Sequence, residues 1–202
     1  QDVVSILNQY PDDPSITFFS GYDADSLALN AKTHFLETYL PFFAKHPRAL
    51  LELRTKSANM SALLKLPPIP NAVVAFSLTP DAIGRQVEHR APSVAARIAA
   101  MAALQDHGWQ IGLRFDPLIY TDDFEAHYER LFADVFSVIN TDRVHSVSTG
   151  LLRFPDKMYQ TIASMYPRDP LLAHPLEQRG RTRSYASSKE ALMLSTVHAL
   201  LS

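Results

Sequence analysis

Cysteine is absent from all 202 residues. Without a thiol the chain forms no disulfide and supplies no Cys ligand to a zinc or iron–sulfur site. It also lacks a cysteine nucleophile, and no Gly-x-Ser-x-Gly elbow takes its place. Long apolar runs are missing too. Nothing approaches the ~20 residues needed to span a bilayer, and no signal peptide is visible. The expected compartment is the cytoplasm, and no membrane partner is expected. Neither sign of charge dominates: Lys plus Arg number 19 against 21 Asp plus Glu, a formal net charge of −2. Nothing global therefore advertises a polyanion partner. The 8 His include no His-x-His or His-x-x-x-His pair, which argues against a metal-dependent hydrolase. A Gly-x-Gly-x-x-Gly loop is missing as well, which argues against a dinucleotide-binding sheet.

What is present is ordinary for a globular domain: 47% hydrophobic and 20% charged residues. Apolar runs alternate with amphipathic ones. Strands are expected at residues 16–20, 49–53, 72–78, 110–115 and 144–149. Helices are expected at 2–9, 25–44, 59–66, 80–87, 93–105, 122–138, 155–165 and 188–201. Ser93 is an N-cap candidate before an alanine-rich body, and Gly108 stands where a glycine ends a helix. Thr121 can cap the next helix, whose first turn carries Asp122, Asp123 and Glu125. Residues 171–187 read as irregular. The strands are apolar throughout rather than alternating, as when both faces of a parallel sheet are covered. The expected fold is α/β: a partial (β/α) barrel with a mainly parallel curved sheet and outer helices. Residues 1–170 form the barrel, and residues 171–202 add an irregular segment and helix to the same domain. The opening on Gln1, directly into a helical stretch, reads as a fragment or a processed chain.

In such folds chemistry gathers at the C-terminal ends of the strands. Those ends read Ser20-Gly21-Tyr22-Asp23, Arg54-Thr55-Lys56, Ser77-Leu78-Thr79, Asp116-Pro117 and Ser148-Thr149-Gly150. Ser20, Lys56, Ser77 and Asp116 are expected to converge on one open face. Each has a plainer reading. Lys56 could be a surface lysine, and Ser77 could satisfy a strand-end backbone group. Asp116 before proline could form a turn. Ser20 and Asp23 could serve turn chemistry, and Tyr22 could serve packing. The densest basic stretch holds Arg179, Arg181 and Arg183, with Tyr185 and Lys189 close behind. It suits nucleic-acid phosphates, with Tyr185 stacking on a base. A solvated loop is the alternative.

An ordered set of short segments resembles the spore photoproduct lyase family of radical S-adenosylmethionine (SAM) enzymes. The segments are Thr55-Lys56-Ser57, Phe76-Ser77, residues 88–93 with Arg97, Gly108 to Gly112 followed by residues 116–120, Arg153-Phe154 and Tyr166-Pro167. The resemblance implies a partial barrel and a [4Fe-4S] cluster on a Cys-x-x-x-Cys-x-x-Cys loop upstream of this chain. It implies reductive cleavage of SAM to a 5′-deoxyadenosyl radical, which takes hydrogen from a thymine photodimer in DNA. By position, Lys56 and Ser77 match residues that contact SAM. Asp116 joins them at the cofactor side, where the family tends to have Ala. Ser20 falls where the family returns hydrogen from a cysteine, and a serine O–H bond is too strong to replace a thiol there. The basic segment lacks the family's Gly-Lys-Tyr-x-Tyr pattern. The alternative is a non-catalytic barrel homologue that binds nucleic acid or a nucleotide.

Overall fold

The computed structural model describes residues 2–21 and 24–202. Five strands form one sheet in sequence order: β1 (Ile16–Ser20), β2 (Ala49–Thr55), β3 (Ala72–Ser77), β4 (Gln110–Leu118) and β5 (Val144–Leu151). They run parallel. The register pairs Phe18 with Leu51, Leu53 with Val74, and Ala75 with Gly112. β3 is the middle strand, and all six of its residues are buried. This is why Ala72–Ser77 reads AVVAFS with no alternation. Helices occupy most crossovers: α2 (Asn30–Thr33) and α3 (Phe35–Ala44) before β2, α4 (Asp81–Val87) and α5 (Val94–His107) before β4, and α6 (Phe124–Phe136) before β5. A short helix, α1 (Asp2–Gln9), precedes β1.

The chain divides into two compact units. The first comprises Gln1–Ser77, Ala96–Arg114 and Val138–Val147. Leu36, Leu40 and Phe43 of α3 are buried, and Phe43 meets Phe18 of β1 edge-on at 6.0 Å between ring centroids. The buried Asn71 amide lies 2.7, 3.1 and 2.8 Å from the carbonyls of Phe43, His46 and Ala49. One side chain thus ties the end of α3 to the start of β2. Trp109, also buried, donates its indole N–H to the Leu63 carbonyl at 3.1 Å.

The second unit comprises Leu78–Ala95, Phe115–Ser137 and Ser148–Ser202. α6 buries Phe124, Tyr128, Leu131, Phe132 and Val135, the i, i+4, i+7, i+8, i+11 stripe of a helix covered on one side. The last helix, α8 (Ser187–Leu201), packs on α6 and buries Met193 and Val197. α7 (Asp156–Met165) follows the two-residue strand β6 (Phe154–Pro155). That strand joins a small antiparallel sheet with β8 (Thr182–Ser184) and β7 (Glu177–Arg179).

Four local expectations change. Residues 25–44 are two helices rather than one, because His34 sits between them with φ 50° in the left-handed region. Residues 59–66 yield only a 3-10 turn at Leu63–Lys65. Their first N–H groups are taken by side chains instead: Asn59 N–H by Ser57 Oγ and Ser61 N–H by Asn59 Oδ1. Helix α6 is capped by position at Asp123, while the Thr121 hydroxyl lies 3.0 Å from His127 Nδ1. Residues 171–187 contain the β7–β8 hairpin.

Asn71→Ala leaves three buried or half-buried carbonyls without this donor. It should lower the unfolding free energy by about 1–3 kcal/mol, read by denaturant titration.

Candidate functional site

Because Phe18 packs on α3, its register partner Leu51 and alternate residue Leu53 face the same way. Glu52 and Arg54 therefore occupy the opposite face of β2. Ala75 and Ser77 of β3 and Gly112 and Arg114 of β4 share it through the parallel register. Here the Arg114 guanidinium grips Glu52 with both prongs, at 3.1 and 2.7 Å. Both side chains are only 6% exposed. Arg54 approaches the same carboxylate at 3.4 Å. Arg114 also donates to the Ser146 hydroxyl and carbonyl, so both buried charges have several partners.

Beyond the strand ends, the loops are tied by side chains. The Asp25 carboxylate accepts the N–H of Leu27 at 2.9 Å, of Ala28 at 3.0 Å and of Lys56 at 2.7 Å. It also accepts the hydroxyl of Thr55 at 2.9 Å. Thr55 Oγ1 then accepts the Ser57 N–H, Ser57 Oγ that of Asn59, and Asn59 Oδ1 that of Ser61. These i to i+2 bonds run the length of a loop with no regular structure. Alongside, the Ser26 N–H donates to the Arg54 carbonyl at 3.0 Å, and Ser26 Oγ to the Ser20 carbonyl at 2.8 Å. Gly21 makes this turn possible. Its φ is +78°, and a Cβ there would lie 2.4 Å from the Ala24 carbonyl oxygen.

Lys56 and Ser77 stand at or just past the C-terminal ends of neighbouring parallel strands. Lys56 is half-buried and Ser77 buried. The Ser77 carbonyl accepts from the buried Arg97 at 3.0 Å. Ser20 ends β1 at the same sheet edge, but its register partner is Leu53, which puts its side chain on the α3 face. Its hydroxyl lies 3.2 Å from that of Ser26. Tyr22 and Asp23 lie outside the described residues.

In the second unit, Asp116 lies in β4 before a cis proline. Its carboxyl rests against Gly150: a Cβ there would sit 2.7 Å from Asp116 Oδ1. The chain leaving β4 is held by two tyrosines. The Ile119 N–H donates to Tyr128 Oη at 2.9 Å and the Tyr120 N–H to Tyr185 Oη at 3.1 Å. Burial raises the pKa of both phenols. Tyr185 is 1% exposed, so it is a core residue and not a platform for a base. Arg179 pairs with Glu190 at 2.6 Å and also donates to the Tyr185 carbonyl. Arg183 pairs with Asp156 at 2.6 Å and lies 4.7 Å over the Tyr159 ring. Arg181 is exposed at the hairpin turn. Lys189 caps the face of Tyr120 at 3.8 Å.

The family model described as spore photoproduct lyase matches residues 2–194. The chain belongs to the spore photoproduct lyase family. That family is a branch of the radical SAM superfamily. A spore photoproduct lyase of Clostridium acetobutylicum is 24% identical over 133 residues, covering 64% of this chain and 40% of that protein. One of Bacillus subtilis is 22% identical over 190 residues, covering 93% of this chain and 56% of that protein. The chain spans about half the length of the curated relatives it matches. Among solved structures, a double mutant of spore photoproduct lyase with bound AdoMet and dinucleoside spore photoproduct matches with TM-score 0.85 at 18% identity. It covers 98% of this chain and 61% of that one. Spore photoproduct lyase complexed with dinucleoside spore photoproduct matches with TM-score 0.86 at 17% identity, with the same coverage. At these identities the likeness is one of fold, the partial (β/α) barrel.

Sequence reasoning found the strand ends and missed what fixes them. Asp25 gave a signal, an acid just after a strand-end glycine, but it read as the start of a helix. Glu52 and Arg114 gave one too: a charge in an apolar strand asks for a partner on the same face of another strand.

Glu190 makes a pH prediction. Burial works against its charge, but hydrogen bonds from Ser184 and Arg179 outweigh it and hold its pKa below the usual value. A depressed carboxyl stabilises the fold above its unfolded pKa, and that stability is lost as pH falls through the folded value. The gap in unfolding midpoint between the parent and Glu190→Gln should therefore narrow from about pH 6 to about pH 3.

Proposed function

We propose that this chain is the SAM-binding part of a radical SAM enzyme acting on a DNA photoproduct or a closely related substrate. The family match over residues 2–194 carries this reading. Two further observations support it. Neighbouring structures of the same fold hold AdoMet and dinucleoside spore photoproduct. Lys56 and Ser77 leave adjacent parallel strands at their C-terminal ends.

The donor chemistry of those two residues fits SAM. An ammonium suits a carboxylate, and a hydroxyl suits a ribose hydroxyl or another neutral acceptor. SAM, when bound, supplies the radical-generating group. Lys56 and Ser77 bind and orient it. An iron–sulfur cluster is a different matter. The chain has no cysteine, so none of its residues fits a thiolate-ligated cluster.

Ser20 receives no hydrogen-transfer role. Its O–H bond is too strong to stand in for a thiol, and its register places it on the α3 face. On the nucleic-acid side, Arg181 is the contact to phosphate, while Arg179 and Arg183 hold the hairpin that presents it. No helix among the described residues is long and apolar enough to cross a membrane. The reading places the protein in the cytoplasm.

The test has two arms. These 202 residues, reconstituted anaerobically with iron and sulfide, should show no cluster absorbance. In the full-length protein, Lys56→Ala should weaken SAM binding by about 1–3 kcal/mol, the scale of one charge-assisted hydrogen bond. A full-length, cluster-loaded protein that releases no 5′-deoxyadenosine from SAM under strong reductant would remove the assignment. Unchanged SAM affinity would remove only Lys56.

A further inference from the structure

We propose that Asp25 is a positioning residue for cofactor binding, acting through Lys56. The inference rests on the reading of Lys56 as a SAM-binding residue. Lys56 is the first residue past β2, and residues 56–60 have no helix, strand or turn of their own. Its backbone is held by the Asp25 carboxylate. One carboxylate takes the Lys56 N–H at 2.7 Å and the Thr55 hydroxyl at 2.9 Å. The same group takes the Leu27 and Ala28 N–H groups at 2.9 and 3.0 Å. Its oxygens thus join the loop after β1 to the loop after β2.

The geometry goes beyond a loop brace. Thr55 Oγ1 donates to Asp25 and accepts the Ser57 N–H at 2.9 Å, so the residues on both sides of Lys56 are held through Asp25. A carboxylate accepting several N–H and O–H donors makes stronger bonds than a neutral acceptor. An amide in its place offers one acceptor oxygen instead of two. A cofactor site needs its charged group held to a fraction of an ångström. Ser26, the next residue, ties the loop after β1 to the end of β2 by an independent bond to the Arg54 carbonyl at 3.0 Å. Loss of Asp25 should therefore loosen Lys56 without releasing the loops altogether.

The experiment is a double-mutant cycle on SAM affinity in the full-length protein, with Asp25→Ala, Lys56→Ala and both together. Asp25→Asn is a near-isosteric variant that carries the same cycle if Asp25→Ala does not fold. Each single change should weaken SAM binding about tenfold or more. The double variant should bind no more weakly than Lys56→Ala alone, because Asp25 acts only through Lys56. Asp25→Asn should fall between the parent and Asp25→Ala. Amide exchange at Lys56 and Ser57 should accelerate in the Asp25 variants. A folded Asp25 variant with parental affinity overturns the proposal, and so do losses that multiply in the double variant. A parent protein that binds no SAM removes the proposed function itself, and this inference with it.

Discussion

One carboxylate holds the two loops on which the cofactor reading depends. Asp25 bonds the backbone after β1 to the backbone after β2, and the side-chain ladder from Thr55 to Asn59 extends that hold along the second loop. Parallel strands present the same end, but that rule brings residues only to one edge. Fixing them there takes bonds that the sheet ladder no longer supplies. Gly21 belongs to the same constraint, since only a residue without Cβ turns the chain past the Ala24 carbonyl and Ser26 hydroxyl.

Deeper along the strands, the same face of the first unit carries the Glu52–Arg114 pair. Charges this buried are costly to desolvate and persist when each is fully partnered. Arg114 meets that condition with two bonds to Glu52 and two to Ser146. Hydrophobic residues of similar size could fill the space. The polar pair instead fixes the lateral register of β2 and β4 across the intervening β3, because a slip of one residue would turn a charge onto the helix-covered face.

The strand positions and the parallel order were legible because buried parallel strands are short, apolar on both faces and spaced by helices. β3 is the clearest case. Less legible was anything decided by a side chain competing with backbone hydrogen bonds. Helical spacing over 25–44 hid the Asp25 turn and the left-handed His34. The apolar run 59–66 hid the Asn59 and Ser57 bonds that prevent a longer helix. Tyr185 read as a base-stacking residue beside three arginines, yet its hydroxyl accepts a backbone N–H inside the core. Its neighbours Arg179 and Arg183 are spent on ion pairs within the small sheet and α8. Ser20 stands at a strand end as expected. The parity of the register, which a sequence does not display, decides which face it takes.

The most direct test is a crystal structure of the full-length protein with SAM bound. The account predicts SAM at the C-terminal ends of β2 and β3, with its carboxylate in hydrogen-bond reach of Lys56 Nζ and a second oxygen in reach of Ser77 Oγ. SAM lying elsewhere, with Lys56 and Ser77 in contact only with protein or solvent, would contradict it.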